Sequence, residues 1–544
     1  MMKVYNCGVF LINGKDIVPE DNAEKVQKLS VRAAGSSAGK DGGACACGGT
    51  GASSLRESAR QGTIACRIMK AHNRSGDMEH LKIAFDAAIS HDNACVGIVR
   101  KAIASGVTKF PLPFFLTGCP DSSCAAGAAD DDSRLFGLSA AKKHGGIFVP
   151  PGIGVIQQYI WENFAGCGKM ILGSGRRSPC GALGTMAFGG NSGELVKQLL
   201  QDTFGVDRPG VTAIYMTGRP APYVGPQDVA LAVIRAVSGI GCARNRVMEF
   251  VGPGVSSMTT DYRSCVDVMS AETDCLSSIW CTDGDTKAFL EKHGRGSDYR
   301  ELNPAETAYY DGCVYVDLSD IHPMIALPFH PSNAYEIGEL YGDLDEILTE
   351  TEELAAKLGK GRPAFTLRDK FVNGRLQARQ GVIAGAGGSY TSIAEVAHAL
   401  KGRNCSGGEF CLSVCPSSQP VFADLEKKGL LADLADAGVV IQEPFRGAGF
   451  GAEETPAENI LSIRHTEGFY PDCEGAGPGQ TLMPAVALMD ARSIAATAAN
   501  GGRLTSAEDF DGRWGDIPEY DYDDRIYRSR VYNGFDQRAA GRAV

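Results

Sequence analysis

From residue 146 the chain repeats one pattern: a short apolar run, a glycine- or proline-marked turn, then an amphipathic stretch. GIFVPP (146–151) reads as strand and turn, VIQQYIWENFAG (155–166) as a helix with a glycine stop, KMILGSG (169–175) as strand and turn, and ELVKQLLQDTFG (194–205) as a helix. VTAIYMT (211–217) is a further strand, and the helix after it is expected to take Asp228 as its N-cap. The pattern returns in GVIAGAGGSYTSIAEVAHALKG (381–402), FCLSVCPSS (410–418) and AGVVIQEPFRGAGFGAE (437–453). Strands alternating with helices in this way build α/β layers around a largely parallel sheet.

The 544 residues suffice for several such units. We expect a first domain over 1–209, a second over 210–327 ending in the Pro-rich IHPMIALPFHPSN, a third over 328–510, and a linker or tail over 511–544. Residues 36–53 (SSAGKDGGACACGGTGAS) read as a flexible glycine-rich surface loop, 57–86 as helical, and 340–358 as an acidic amphipathic helix. Lys and Arg number 53 against 65 Asp and Glu, a net charge of −12, which argues against non-specific grip on nucleic acid or an anionic membrane. No apolar run is long enough to span a bilayer. Eighteen cysteines without an export signal are expected to be reduced thiols in the cytoplasm.

Several motifs carry chemistry in principle. Gly447, Gly449 and Ala452 spell G-x-G-x-x-A, close to a dinucleotide fingerprint, but EPFR separates them from the strand and Pro456 interrupts, so tight turns are the expected reading. Cys405, Cys411 and Cys415 could ligate zinc or iron, yet their spacing is better suited to buried thiols acting as small hydrophobes. His91–Asp92 is a candidate acid–base pair, with ordinary polar residues as the plainer alternative. Arg176 and Arg177, in SGRRSPCG after the strand KMIL, are either a carboxylate clamp or a solvated loop.

These pieces occur in the order found in the aconitase superfamily. PGIGVIQQYIWENFAG followed by KMILGSG…SPCGALGTMAFGG resembles that family's Pro-Gly-x-Gly-x-Ile-His-Gln helix, strand and Asp-Ser-His-Thr-Pro loop. VTAIYMTGRPAPYVGPQDVALAVI, MEFVGPGVSSM, VMSAE, PFHPSNAYEI and TAANGGRLTSAEDF resemble later landmarks, over about residues 60–510. The resemblance implies three α/β/α layered domains of the aconitase large-subunit type around an interdomain cleft. It also implies a 4Fe–4S cluster held by three cysteines, and a fourth, swivelling domain that is missing here and that a separate subunit could supply.

Carried over residue by residue, the cluster positions fall on Ala386, Arg446 and Gly449, none of which can ligate iron. The family's cluster-side Asp-His pair falls on Cys119 and Pro120, and the helix histidine on Gln157. Its Asp-Ser-His segment falls near Gly175, Arg176 and Arg177, next to Ser178, and its two substrate arginines near Gly468 and Cys473. His91 takes the place of a substrate-side Gln, whereas Asp92 and the active-site Glu272 are kept.

Loss of the Lewis acid, the acid–base histidine and the substrate arginines together removes the family's mechanism. The first expectation is therefore a clusterless hydratase-like protein, inactive as a citrate isomerase. It would hold a small carboxylate or other anion with Arg176, Arg177, Ser178, Gln157 and Arg446. Two alternatives stand beside it. One is an active hydro-lyase whose remodelled metal site draws on Cys119, Cys124, Cys180, Cys411 or Cys415, with Glu272, His91 and Asp92 moving protons. The other is a scaffold or regulatory partner.

Overall fold

The computed structural model describes residues 2–22, 25, 51–90, 94–117, 128–175, 179–358, 364–405, 408–444, 456–467 and 482–535. Three mostly parallel sheets carry the architecture. The first has the order Tyr532–Asn533, Ile147–Val149, Phe114–Thr117, Ala87–Ser90, Met170–Ser174, Met186–Gly190. Every pairing in it is parallel except that of Tyr532–Asn533. The second runs Met2–Tyr5, Gly312–Asp317, Val211–Thr217, Val247–Val251, Ser277–Trp280, with Met2–Tyr5 antiparallel.

The third sheet runs Ala334–Glu336, Met324–Ala326, Ala485–Met489, Leu461–His465, Gln380–Ile383, Cys411–Val414, Val440–Ile441. Its first two pairings are antiparallel and the rest parallel. Strands such as Ala87–Ser90, Met170–Ser174 and Ala485–Met489 are buried at every position, as a sheet covered on both faces demands. Among the described residues, no helix is long and apolar enough to cross a membrane.

The sheets do not respect the cuts at 209, 327 and 510. Met2–Tyr5 joins the second sheet, Met324–Ala326 the third, and Tyr532–Asn533 the first. The helical expectation over 57–86 is corrected. Helix Ile64–His72 stops at Asn73, whose side-chain oxygen accepts from Ser75 N (3.1 Å) and Lys82 N (2.8 Å), turning the chain into strand His80–Ile83. Residues 51–53, expected in the loop 36–53, begin helix Gly51–Arg60, while 36–50 lie outside the described residues.

Asp228 is not the N-cap of its helix. Pro226 opens helix Pro226–Ser238, where its missing N–H costs nothing, and Gly225 caps it. Asp228 reaches back to accept from Gly225 N (2.8 Å) and, with its other oxygen, from Met324 N (2.8 Å).

The stretch from 511 is not a free linker through Phe535. Gly515 N donates to Glu395 (3.0 Å), Asp521 N to Asp424 (2.9 Å), and helix Arg525–Arg530 leads into the Tyr532–Asn533 edge strand. Its anchor is Glu162, buried on helix Ile156–Asn163. That carboxylate accepts from Tyr527 OH (2.5 Å), Tyr520 OH (3.1 Å) and Gln158 Nε2 (2.9 Å). The ring of Tyr527 also stands edge-on to Tyr159, with centroids 5.0 Å apart.

Burial pushes Glu162 up to about 7, although its three donors pull the other way. A carboxyl raised in the fold binds its proton more tightly folded than unfolded. Stability therefore falls as pH climbs from the unfolded value towards 7 and levels off above it. Denaturant melts at pH 5 and pH 8 should show this. Glu162→Gln is expected to remove on the order of 3 kcal/mol of the wild-type decline between them.

Candidate functional site at the junction of the three sheets

Parallel strands present their carboxyl ends at one edge, where loops gather functional groups. Ser90, Val149 and Ser174 end neighbouring or near-neighbouring strands of the first sheet, and Ile383, Val414, Ile441 and His465 end strands of the third. The segments that follow these ends carry most of the residues singled out in the sequence.

Helix Ile156–Asn163 leaves the first sheet and is fixed over the third by backbone pairing. Val155 N donates to Ser417 O (2.9 Å) and Gln419 N to Ile153 O (2.9 Å). Gly154 permits this approach, since a Cβ there would sit 3.1 Å from Ser418 Cβ. Gln157 lies in the first turn and is buried, and its Nε2 donates to Glu467 Oε2 (3.1 Å). Gln157 Oε1 has no hydrogen-bond partner among the described residues.

Glu467 follows strand Leu461–His465, and its Oε1 accepts from the backbone N–H of Ala386 (3.1 Å). Ala386 sits in the 3₁₀ turn Gly385–Gly388, wedged between strand ends. A Cβ on Gly387 would fall 2.3 Å from His465 O, and one on Gly388 2.1 Å from Cys415 O. The Ala386 methyl is only 5% exposed and belongs to an apolar cluster with Ile153, Ile156, Cys180 and Cys265. From the second sheet, helix Thr260–Met269 brings Cys265, whose Sγ donates to Ala386 O (3.2 Å). Burial pushes that thiol well above its ordinary range, so it stays protonated at neutral pH. One carboxylate thus ties together groups from the first and third sheets, and the second sheet's helix docks on the same turn.

A profile of the aconitase family (aconitate hydratase) matches residues 117–496. The chain belongs to the aconitase family. It is 27% identical over 324 residues to the 3-isopropylmalate dehydratase large subunit 2 of Archaeoglobus fulgidus, covering 59% of this chain and 70% of that one. It is 24% identical over 385 residues to the mitochondrial aconitate hydratase of Saccharomyces cerevisiae, covering 67% of this chain and 46% of the yeast protein. The chain thus spans about half the length of that relative. Among solved structures, the holo form of aconitase X from Thermococcus kodakaraensis matches with a TM-score of 0.38 at 11% identity, over 77% of this chain and 93% of that one.

Within this aconitase-family chain, Gln157 and Ala386 are brought together, and Glu467 is the link that sequence reading missed. It stands one residue before Gly468, the neighbourhood in which the resemblance places an arginine. Glu272 lies in the 3₁₀ turn Ser270–Thr273 that follows helix Thr260–Met269, half-buried. His91, Asp92, Arg176, Arg177, Ser178, Arg446, Gly449, Cys119, Pro120, Cys124 and Cys473 lie outside the described residues.

The flanks of the arginine loop are described. Gly175 N donates to Gly190 O (2.8 Å), and Gly181 N donates to the buried Asp267 of helix Thr260–Met269 (2.7 Å). Of the candidate cysteine ligands, Cys405, Cys415 and Cys180 are buried, whereas Cys411 is exposed. Cys411 therefore departs from the buried thiol expected at all three of Cys405, Cys411 and Cys415. Among the described residues, no three His, Cys, Asp or Glu side chains form a group able to hold a metal ion.

The Glu467 link is testable by stability. Glu467→Ala leaves the Ala386 N–H and the Gln157 amide without an acceptor in a buried setting and is expected to cost about 2–5 kcal/mol in urea unfolding. Glu467→Gln, which keeps one acceptor oxygen, should cost roughly half as much.

Proposed function

We propose that this chain is an aconitase-family hydratase-like protein that assembles no 4Fe–4S cluster, does not isomerise citrate, and holds a small carboxylate or other anion at its strand-end loops. The observation that carries the reading is the Glu467 clasp on Ala386 and Gln157. The cysteines that hold a 4Fe–4S cluster bind it as thiolates. At the first family position stands a methyl group packed among apolar side chains, with a carboxylate bound to its backbone N–H. Of the neighbouring sulfurs, Cys265 is a buried thiol whose proton is engaged by Ala386 O, and Cys180 is buried as well. These residues do not fit the group. Gln157, in place of the family histidine, is an amide that cannot exchange a proton at neutral pH, and its side chain is committed to Glu467.

The anion half of the reading rests on Arg176, Arg177, Ser178 and Arg446, which follow carboxyl ends of parallel strands in the first and third sheets. Guanidinium groups suit carboxylate or phosphate. A separate swivel-domain subunit is part of this proposal, supported by the Archaeoglobus fulgidus relative being named a large subunit.

Anaerobic purification followed by iron and sulfide reconstitution tests the first half. We expect far less than one iron per chain and no conversion of citrate. Iron and sulfide at cluster stoichiometry would overturn it in favour of a remodelled hydro-lyase site. Calorimetric titration with citrate and with phosphate tests the second half. Saturation at millimolar or lower ligand is expected, weakened at least tenfold by Arg446→Ala, about 1.4 kcal/mol. Absence of heat at millimolar ligand would overturn it.

A further inference from the structure

A cavity of about 560 Å³ lies between the amino-terminal end of helix Thr260–Met269, helix Gly284–Lys292, helix Tyr390–Leu400 and the 515–520 segment. Neither Gln157, Ala386 nor Glu467 lines it. The 515–520 segment closes one side and is held there by Lys292, whose Nζ donates to Glu519 (2.6 Å) and to Tyr520 O (2.9 Å). Tyr262, Phe289 and Tyr520 supply most of the aromatic wall.

Three buried polar atoms on residues lining this space have no hydrogen-bond partner among the described residues: Gln158 Oε1, Asp261 Oδ2 and His293 Nε2. Buried polar atoms are normally paired, so three around one cavity need an explanation. All three are acceptors. Gln158 spends its Nε2 on Glu162 (2.9 Å), which turns its carbonyl oxygen the other way. His293 Nδ1 faces Phe289 O at 2.7 Å, so that nitrogen carries the proton and Nε2 keeps its lone pair. Burial holds the ring neutral by pushing it down to about 4. Gln158 and His293 are 4% and 8% exposed.

The other charged groups around the cavity are already matched. Lys292 pairs with Glu519 and Arg492 with Glu395 (3.2 Å), while Asp285 accepts from Thr260 Oγ1 (2.7 Å). Arg219 stays exposed at the rim. Asp261 forms no ion pair among the described residues, and burial pushes its carboxyl up.

We propose that this cavity is a second ligand site, for a small organic amine in its ammonium form. Such a ligand brings the N–H donors that the walls lack and the positive charge that Asp261 lacks. Its apolar or aromatic body fits walls that also favour a cation over their ring faces. An anion is disfavoured, because three lone pairs would face it. The proposal stands independently of the clusterless reading.

The test is a titration of the full chain with benzylamine, 1,4-diaminobutane, benzyl alcohol and sodium benzoate, followed by calorimetry and ligand-observed NMR at neutral pH. We expect saturable binding of at least one amine with Kd below ~10 mM, at least tenfold tighter than the alcohol or benzoate. Asp261→Asn should weaken it at least tenfold, and His293→Phe, which keeps the ring stacked on Phe289, several-fold. The idea fails if neither amine saturates, if benzoate or benzyl alcohol binds as tightly, or if Asp261→Asn leaves amine affinity unchanged. Should Asp261→Asn not fold, the amine preference of the unaltered chain together with the loss of affinity in His293→Phe decides the question.

Discussion

The arrangement of the three sheets turns on one buried carboxylate. Glu467 accepts from the backbone of the third sheet's glycine-rich turn and from a side-chain amide on the first sheet's helix, both at 3.1 Å. The second sheet's helix joins through the Cys265 thiol on the same turn. Hydrogen bonds to an ionised group in a poorly polarisable interior are strong when satisfied and costly when broken. The junction therefore sets where the strand-end loops can meet.

Glu162 plays the corresponding part on the next turns of the same helix. Its two tyrosine donors come from the last described segment of the chain, so helix Ile156–Asn163 is gripped near one end by Glu467 and near the other by the 515–535 segment. A helix of only eight residues gains little stability of its own. Its position comes from these contacts and from the backbone pairing of Val155 with Ser417.

Much of the fold is legible in the sequence because its signal is local. Apolar runs such as KMIL and VTAIYMT, each followed by a turn and an amphipathic stretch, read directly as strands of parallel sheets, and both are strands. What is not legible is long-range. The aromatic, acidic, aperiodic stretch after 511 reads as a linker because its order comes from Tyr520 and Tyr527 meeting Glu162, and no periodicity announces such a partner. Asp228 is misread as the cap because an aspartate at a helix start caps equally well from N3, and only Pro226 shows which applies. At the candidate site, the resemblance draws attention to Gln157 and Ala386 but passes over Glu467. The family pattern directs attention to arginines nearby, and a glutamate just past a strand end carries no motif of its own. Its one signal is a carboxylate following an apolar strand whose neighbours depart together from the family pattern.

Met2–Tyr5 becomes a strand only by pairing with Gly312–Asp317, antiparallel from Met2↔Val316 to Tyr5↔Cys313. On the ribosome its backbone donors and acceptors emerge long before that partner exists. Contacts so distant along the chain are slow to form, and a waiting edge is a template for wrong pairing. The nascent polypeptide must therefore keep this first segment uncommitted until every other strand of its sheet has left the exit tunnel.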